Sequence, residues 1–267
     1  MDLDLRKLRY FQTVAEFKHF GRAAEQLFIA QPVLSRQIRA LERELGCELL
    51  ARTTRSVTLT PAGEQLFAES AGVLAAADSA TRRTHEVARG LTRLVIGFAP
   101  GLRVSAAVQA FTKINPEVEI RLLRLNWYDQ AETIRDGRAD VGYLRRPFDP
   151  DGLHTIPIGS DPMVVCLPAQ HRLAARRKLR SNDLTGELIF DPVARRFATI
   201  EEKLELIAAG EGVAIIPRSV ARYYARPGIV HRSLADVEPL PTLLAVAADR
   251  KQQHLQDFLD VAADTLT

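Results

Sequence analysis

Cysteine is scarce in this chain of 267 residues: the two present, Cys47 and Cys166, stand far apart and in no paired motif. A secreted, disulfide-stapled fold is therefore not indicated. Apolar runs are short as well, none reaching the eighteen residues that a membrane-spanning helix needs. The opening MDLDLRK lacks the basic-then-apolar layout of a signal peptide, so the expected location is the cytoplasm. The six histidines (His19, His85, His154, His171, His231, His254) are scattered, with no HExxH pair and no Cys–His spacing. There is no GxSxG elbow and no phosphate-cradling loop, and Gly210-x-Gly212 falls far short of a dinucleotide fingerprint. The acidic residues form no recognisable metal array. Neither catalysis nor a metal or other cofactor is expected.

What is present suits a packed protein of more than one domain. Apolar residues make up 46% of the chain, enough for a core, and the length suits two or three domains. The net charge of +3 is too small to demand nucleic acid, but its distribution is uneven. Residues 1–60 hold ten Lys/Arg against seven acids, and between Arg22 and Glu42 the sole acid is Glu25.

The run from Phe20 to Arg43, FGRAAEQLFIAQPVLSRQIRALER, reads as two short helices with a tight break. In the second, Leu34, Ile38, Leu41 and Leu45 recur at spacings of four, three and four and so share one helix face. At 100° per residue Arg36, Arg39 and Arg43 project from the opposite face, flanked by Pro32 and Ser35. Arginines placed so can neutralise phosphates or grip guanine edges; they can equally be a solvated surface. Leu5, Leu8, Phe11, Val14 and Ala15 mark an earlier helix over about 4–17, and Gly21 is a candidate N-cap for Arg22–Leu27. Pro32 suits a first helical turn, and Gly46 a C-cap. In CELLARTTRSVTLT, Val57 and Leu59 alternate with polar residues, so a two-stranded ribbon with Arg52, Thr53, Thr54 and Arg55 at its tip is expected. A helix-turn-helix followed by such a ribbon is a winged helix.

Thr60–Pro61 then opens a helix to about Arg89, with Thr60 as N-cap and a small-residue seam. At 1.5 Å per residue it is roughly 40 Å long, and its seam is expected to face a second copy of itself. From Gly90 strands and helices alternate, which implies parallel sheets with ligand crevices at the strands' C-terminal ends. LTRLVIGFAP, EIRLLRL, ADVGYL, PMVVCLP, LIF, VAIIP and TLLAVA read as strands, and Thr199-Ile200-Glu201-Glu202 as a capping box stopped by Gly210.

In its first 65 residues the chain resembles the LysR-type transcriptional regulators. The resemblance rests on Leu8–Phe11, Ala23–Ala24, Gln31–Pro32, Leu34–Ile38, Leu41–Glu42, Leu45–Gly46, Leu49, Arg52, Leu59–Thr60 and Ala62–Gly63. The remainder is collinear with that family through VIGFAPG, NPEVEIRL, IRDGRADVGYLR, VVCLPAQHRLA and ELIAAGEGVAIIP. The resemblance implies a multidomain α plus α/β architecture. A winged helix-turn-helix would occupy 1–60, a linker and dimerisation helix 61–89, and a two-lobed domain like a periplasmic binding protein 90–267. Lobe I would span about 91–162 and 235–267, and lobe II about 163–234. The implied partners are double-stranded DNA, a small-molecule effector and further copies of the chain as a homodimer or homotetramer, with no membrane.

By the same resemblance Gln31, Pro32, Ser35, Arg36 and Arg39 would face the major groove, with Arg22 also on the DNA side. Arg52, Thr54 and Arg55 would meet the backbone from the wing. The effector would lie among Ala99, Pro100, Gly101, Leu102, Asn126, Trp127, Tyr143 and Arg145, with Phe190, Asp191 and Val213 facing them from lobe II. Backbone N–H groups after Gly101, with Arg145 or Arg146, could hold a carboxylate or similar anion.

Two departures from the family pattern stand out. Ala30 occupies a position that is more often Ser, so a cap or phosphate contact is lost there. Between Phe190–Pro192 and Thr199 only VARRFA intervenes, where the family usually has another helix and strand. Two other classes remain: a metabolite-binding protein whose winged helix contacts only protein, and an enzyme on the two-lobed scaffold. Salt-sensitive DNA binding separates the first from a regulator, and turnover of candidate metabolites the second.

Overall fold

The computed structural model describes residues 3–52, 57–190 and 199–265. By their contacts these fall into two units that divide after Ala88, with Asp136–Arg138 grouped with the first.

In the first unit, α1 (Leu5–Phe17), α2 (Phe20–Gln26) and α3 (Gln31–Leu45) are followed by β1 (Leu50–Arg52), β2 (Val57–Leu59) and α4 (Pro61–Ala88). Asp4 caps α1 through the N–H groups of Arg6 and Lys7. The second helix starts two residues before the sequence-based expectation, because His19 and not Gly21 is its N-cap: His19 Nδ1 accepts from Arg22 N at 3.2 Å. The apolar stripe of α3 is where periodicity puts it. Leu34, Ile38 and Leu41 are fully buried against Leu8, Phe11, Val14 and Ala23, each contributing about 1.5–3 kcal/mol of burial. Gly46 ends α3 at φ +70.

The wing strands pair antiparallel, Leu50 opposite Leu59. Thr60 Oγ1 caps α4 by accepting from Gly63 N at 3.0 Å. A Cβ at Gly63 would lie 2.0 Å from Leu49 O, so only glycine lets α4 approach the strand entry this closely.

The second unit holds two sheets. The larger contains β3 (Thr92–Phe98), β4 (Val118–Arg124), β5 (Val141–Arg145), β6 (Leu153–Asp161) and, from far along the chain, a strand at Leu240–Ala247. The smaller begins with β7 (Met163–Pro168) and β8 (Lys178–Leu179), followed by a 3₁₀ turn at Ser181–Leu184; it ends with β9 (Ala214–Pro217) and β10 (Ile229–Leu234). The strand Leu240–Ala247, which we label β11, therefore returns to the larger sheet, whose order is β4-β3-β5-β11-β6. Helices α5 (Ser105–Ile114) and α6 (Gln130–Arg135) belong to the first lobe, α7 (Ile200–Ala208) and α8 (Arg218–Tyr223) to the second, and α9 (Gln253–Asp264) follows β11.

Alternation along β3 sends Leu94 and Ile96 to a core shared with α5 and α9, where Phe111 and Phe258 meet edge to face at 5.4 Å. Val95 points the other way, to Ile134 of α6. The smaller sheet runs β8-β10-β7-β9.

The expectation of parallel sheets holds only in part. Strand β3 is parallel to β4 and β5, but β11 is antiparallel to both its neighbours, and β7 is antiparallel to β10 and β9. The antiparallel strands β7 and β11 are those that enter a sheet directly from the other sheet, with no helical crossover, from β6 and β10 respectively. Neither β6 nor β10 was expected from the sequence: Pro157 and Gly159 interrupt β6, and His231–Arg232 interrupt the apolar pattern of β10. The strand expected at Leu188–Phe190 makes a single bridge, Ile189 to Val213.

Candidate nucleic-acid interface and ligand cleft

The arginine face of α3 is open. Gln31, Pro32, Arg36, Arg39 and Arg43 are exposed and Ser35 is half-buried. The guanidinium groups of Arg36, Arg39 and Arg43 make no hydrogen bond or ion pair with any described residue. Nearby acids are engaged elsewhere: Glu42 Oε1 accepts from the N–H groups of Leu49 and Leu50 at 3.1 and 3.2 Å, and Glu44 pairs with Lys7. Arg22 is exposed, but its Nη2 donates to Phe17 O at 2.9 Å and so is partly committed to holding α1 against α2. Ala30 is the N-cap of α3 and offers no side-chain hydrogen bond. Thr54 and Arg55 lie outside the described residues, as does the side chain of Arg52, whose backbone ends β1.

The cleft of the second unit is built differently. Ala99, Pro100, Gly101 and Leu102 follow β3; Arg145 ends β5; Asp161 ends β6; Ser219 begins the first turn of α8 in the second lobe. Arg145 is fully buried. Its backbone is clamped by the Gln130 amide, which donates to Arg145 O at 2.6 Å and accepts from Arg145 N at 3.0 Å. Its Nε and Nη2 donate to Asp161 Oδ2 at 3.1 and 2.7 Å. Nη1 and Nη2 reach Pro100 O at 3.2 Å, and Nη2 reaches Ser219 Oγ at 2.8 Å. Ser219 in turn donates to the same carboxylate, its N–H to Oδ1 at 3.1 Å and its hydroxyl to Oδ2 at 2.5 Å. The Trp127 ring lies 5.9 Å from the guanidinium carbon. Burial lowers the proton affinity of Arg145, and the Asp161 carboxylate works against that.

This geometry corrects several expectations. Arg145 is not a spare cation for an effector, because Asp161 already neutralises it. Phe190 and Val213 do not line the cleft: Phe190 packs in one core of the second lobe with Leu204 and Ile207, and Val213 in the other with Val165 and Leu167. Helices α7 and α8 cover one face of that sheet, and the segment with Leu173 and Leu184 covers the other, so alternation along a strand has no solvent face to report. Tyr143 is likewise core, among Ile96 and Leu244. Its hydroxyl has no hydrogen-bond partner among the described residues, and burial pushes its pKa up. Ala99 is buried, Pro100, Gly101 and Leu102 are half-buried, Asn126 is exposed, and Trp127 is half-buried. Arg146 pairs its guanidinium with the Phe148 ring at 5.2 Å. Asp191 lies outside the described residues.

Sequence reasoning missed Asp161, Ser219 and Gln130. The one available signal was an acid lodged between a strand and a buried apolar run, in GSDPMVVCLP. Among the described residues no cluster of three or more His, Cys, Asp or Glu could hold a metal ion. None of their helices is long and apolar enough to cross a membrane.

Comparison with known proteins puts this geometry in context. Residues 5–64 match the family model described as a bacterial regulatory helix-turn-helix protein of the lysR family. Residues 85–192 and 190–267 match the LysR substrate binding domain. The chain is 37% identical to the uncharacterized HTH-type transcriptional regulator YnfL of Escherichia coli K12, over 83% of this chain and 84% of that protein. It is 29% identical to the Hca operon transcriptional activator HcaR of the same organism, over 99% and 98%. Among solved structures it is similar to CbnR, a LysR family transcriptional regulator (TM-score 0.71, 22% identity, 99% and 100% covered). It is also similar to full-length BenM (TM-score 0.54, 26% identity, 98% and 96% covered).

The alignments also report a difference in length. The one with YnfL spans 251 positions but takes in 83% of 267 residues, about 222. The one with HcaR spans 291 positions for 99% of the chain, about 264. Each therefore holds some 27–29 positions that this chain does not fill. The domain model breaks at 190–192, next to the segment expected to be short.

Proposed function

The chain belongs to the LysR family of bacterial helix-turn-helix transcriptional regulators, and from that premise we propose how its parts divide the work. It is a DNA-binding regulator with an effector-binding domain. In our reading, residues 1–60 read DNA, 61–89 join two copies, and 90–267 sense a small molecule between two lobes. Gln31, Pro32, Ser35, Arg36 and Arg39 enter the major groove, and Arg52, Thr54 and Arg55 follow the phosphate backbone beside it.

One observation carries the DNA assignment. The buried stripe of Leu34, Ile38 and Leu41 anchors α3, and its arginines have no partner among the described residues. Exposed guanidinium groups left unpaired beside acids that are engaged elsewhere form a surface suited to an anionic polymer. A CbnR structure with its target DNA is among the similar folds, which agrees with that reading. Self-association through α4 is supported by its length, 28 residues or roughly 42 Å, and by Val73 and Val87 exposed along it. We read the chain as a cytoplasmic regulator without metal or other cofactor and without catalysis, the last of which agrees with relatives named as transcriptional regulators.

The test is a gel shift with the DNA adjoining the chain's own gene across a salt series. Steep loss of binding with salt, and weaker binding by Arg36→Ala, are expected. No shift at low salt would sink the assignment. A thermal-shift screen of metabolites identifies the effector, because a ligand raises stability by mass action.

A further inference from the structure

Asp161 is a carboxylate held as a bound ligand would be. Four donors converge on its two oxygens: Arg145 Nε and Nη2, and the N–H and hydroxyl of Ser219. Two of those donors come from the first lobe and two from the second. The guanidinium is fully buried and the carboxylate nearly so, so each is paired in the low-dielectric interior where exchange with water is restricted. The approach is tight around them as well. A Cβ at Gly101 would stand 2.6 Å from Ser219 Oγ and 2.7 Å from Val220 N, so the turn after β3 lies directly against the start of α8.

We propose that the Asp161 side chain is a tethered stand-in for a carboxylate effector, and that such an effector acts by taking its place on Arg145 and Ser219. This rests on the reading that the effector sits between the lobes, and it adds the ligand class and the route of entry. Displacement exchanges one set of charge-assisted hydrogen bonds for another and releases the Asp161 side chain from Ser219 of α8, while the bond from Arg218 N to Pro162 O at 2.7 Å stays. The carboxylate in the link between the lobes then comes from the effector and no longer from Asp161. The protein thereby has two arrangements that differ in ligand affinity, which is what a ligand needs in order to shift a population.

Acetate is the Asp161 side chain without its tether, so it is the probe. Trp127 is the single tryptophan of the chain and lies beside Arg145, so its emission reports the cradle. The full-length protein is titrated with sodium acetate against sodium chloride at equal ionic strength. In Asp161→Ala the emission is expected to change saturably with acetate, with half-saturation on the order of millimolar, in reach of a four-heavy-atom ligand. The wild type is expected to stay unchanged over that range. Asp161→Asn, which keeps the shape and removes the charge, is expected to respond at about tenfold lower acetate than the wild type. It decides the matter if Asp161→Ala does not fold.

A wild type that responds in the same range as Asp161→Asn overturns the proposal, as does a folded Asp161→Ala that does not respond. Acetate that fills the cradle of Asp161→Ala without altering its gel-shift pattern overturns displacement as the regulatory step. A metabolite that stabilises wild type and Asp161→Asn equally leaves the interlobe reading standing and overturns the stand-in alone.

Discussion

The molecule uses arginine in two opposite ways. On α3 the three guanidinium groups point outward with no partner among the described residues, held in place only by the leucines and isoleucine behind them. At the lobe junction one guanidinium is fully buried and bound to Asp161, Pro100 O and Ser219. The first arrangement leaves charge available to a partner and contributes little to folding. The second makes charge part of the fold and leaves little for a partner. An arginine therefore marks a binding surface only when its surroundings leave it unsatisfied, and sequence alone does not report that.

The contrast can be attacked from either side. Arg145→Ala leaves Asp161 buried without its counter-ion, and a loss of about 3–5 kcal/mol is expected, read as a large fall in melting temperature. Replacing both partners, Arg145→Met with Asp161→Leu, is expected to recover most of that loss; no recovery would mean that the junction depends on more than the pair. Gly101→Ala meets Ser219 and Val220 and must also hold φ +84. A loss of about 2–3 kcal/mol is expected in the same melt. Arg36→Ala is expected to leave the melt within about 0.5 kcal/mol. It should weaken DNA binding by about 1–3 kcal/mol and lower the salt slope by roughly one. An Arg36→Ala protein that melts early and binds normally would erase the distinction. The smallest effect is expected of Ala30→Ser, which restores an N-cap to α3 and should raise stability by about 1 kcal/mol.

Periodicity reached the first unit almost whole, because α3 has one buried face and one wet face and the stripe Leu34, Ile38, Leu41 reports which is which. The caps at Gly46, Thr60 and Thr199 were legible for the same local reason: each satisfies backbone groups within three or four residues. His19 was not, because histidine is an uncommon cap and Gly21 stood nearby as a conventional one.

In the second unit β6 and β10 were missed, since Pro157, Gly159 and the His231–Arg232 pair obscure their alternation. Phe190 and Val213 were expected at the cleft and are core, because a sheet covered on both sides makes strand faces indistinguishable from sequence. The bond between Ser219 and Asp161 joins residues 58 positions apart, and no local pattern encodes that pairing. The short segment after Phe190 reads as a departure from the family, and the match to the substrate binding domain breaks beside it, at 190–192.

One carboxylate in the first unit has a reach beyond its own helix. Glu42 lies on α3, and its Oε1 accepts from both Leu49 N and Leu50 N at the entry to β1, so the helix proposed to read bases and the ribbon proposed to follow the backbone share this joint. A strain applied to either is passed to the other. Losses from substitutions on the helix and on the wing will therefore not sum as independent quantities, and the departure from their sum measures the stiffness of that joint.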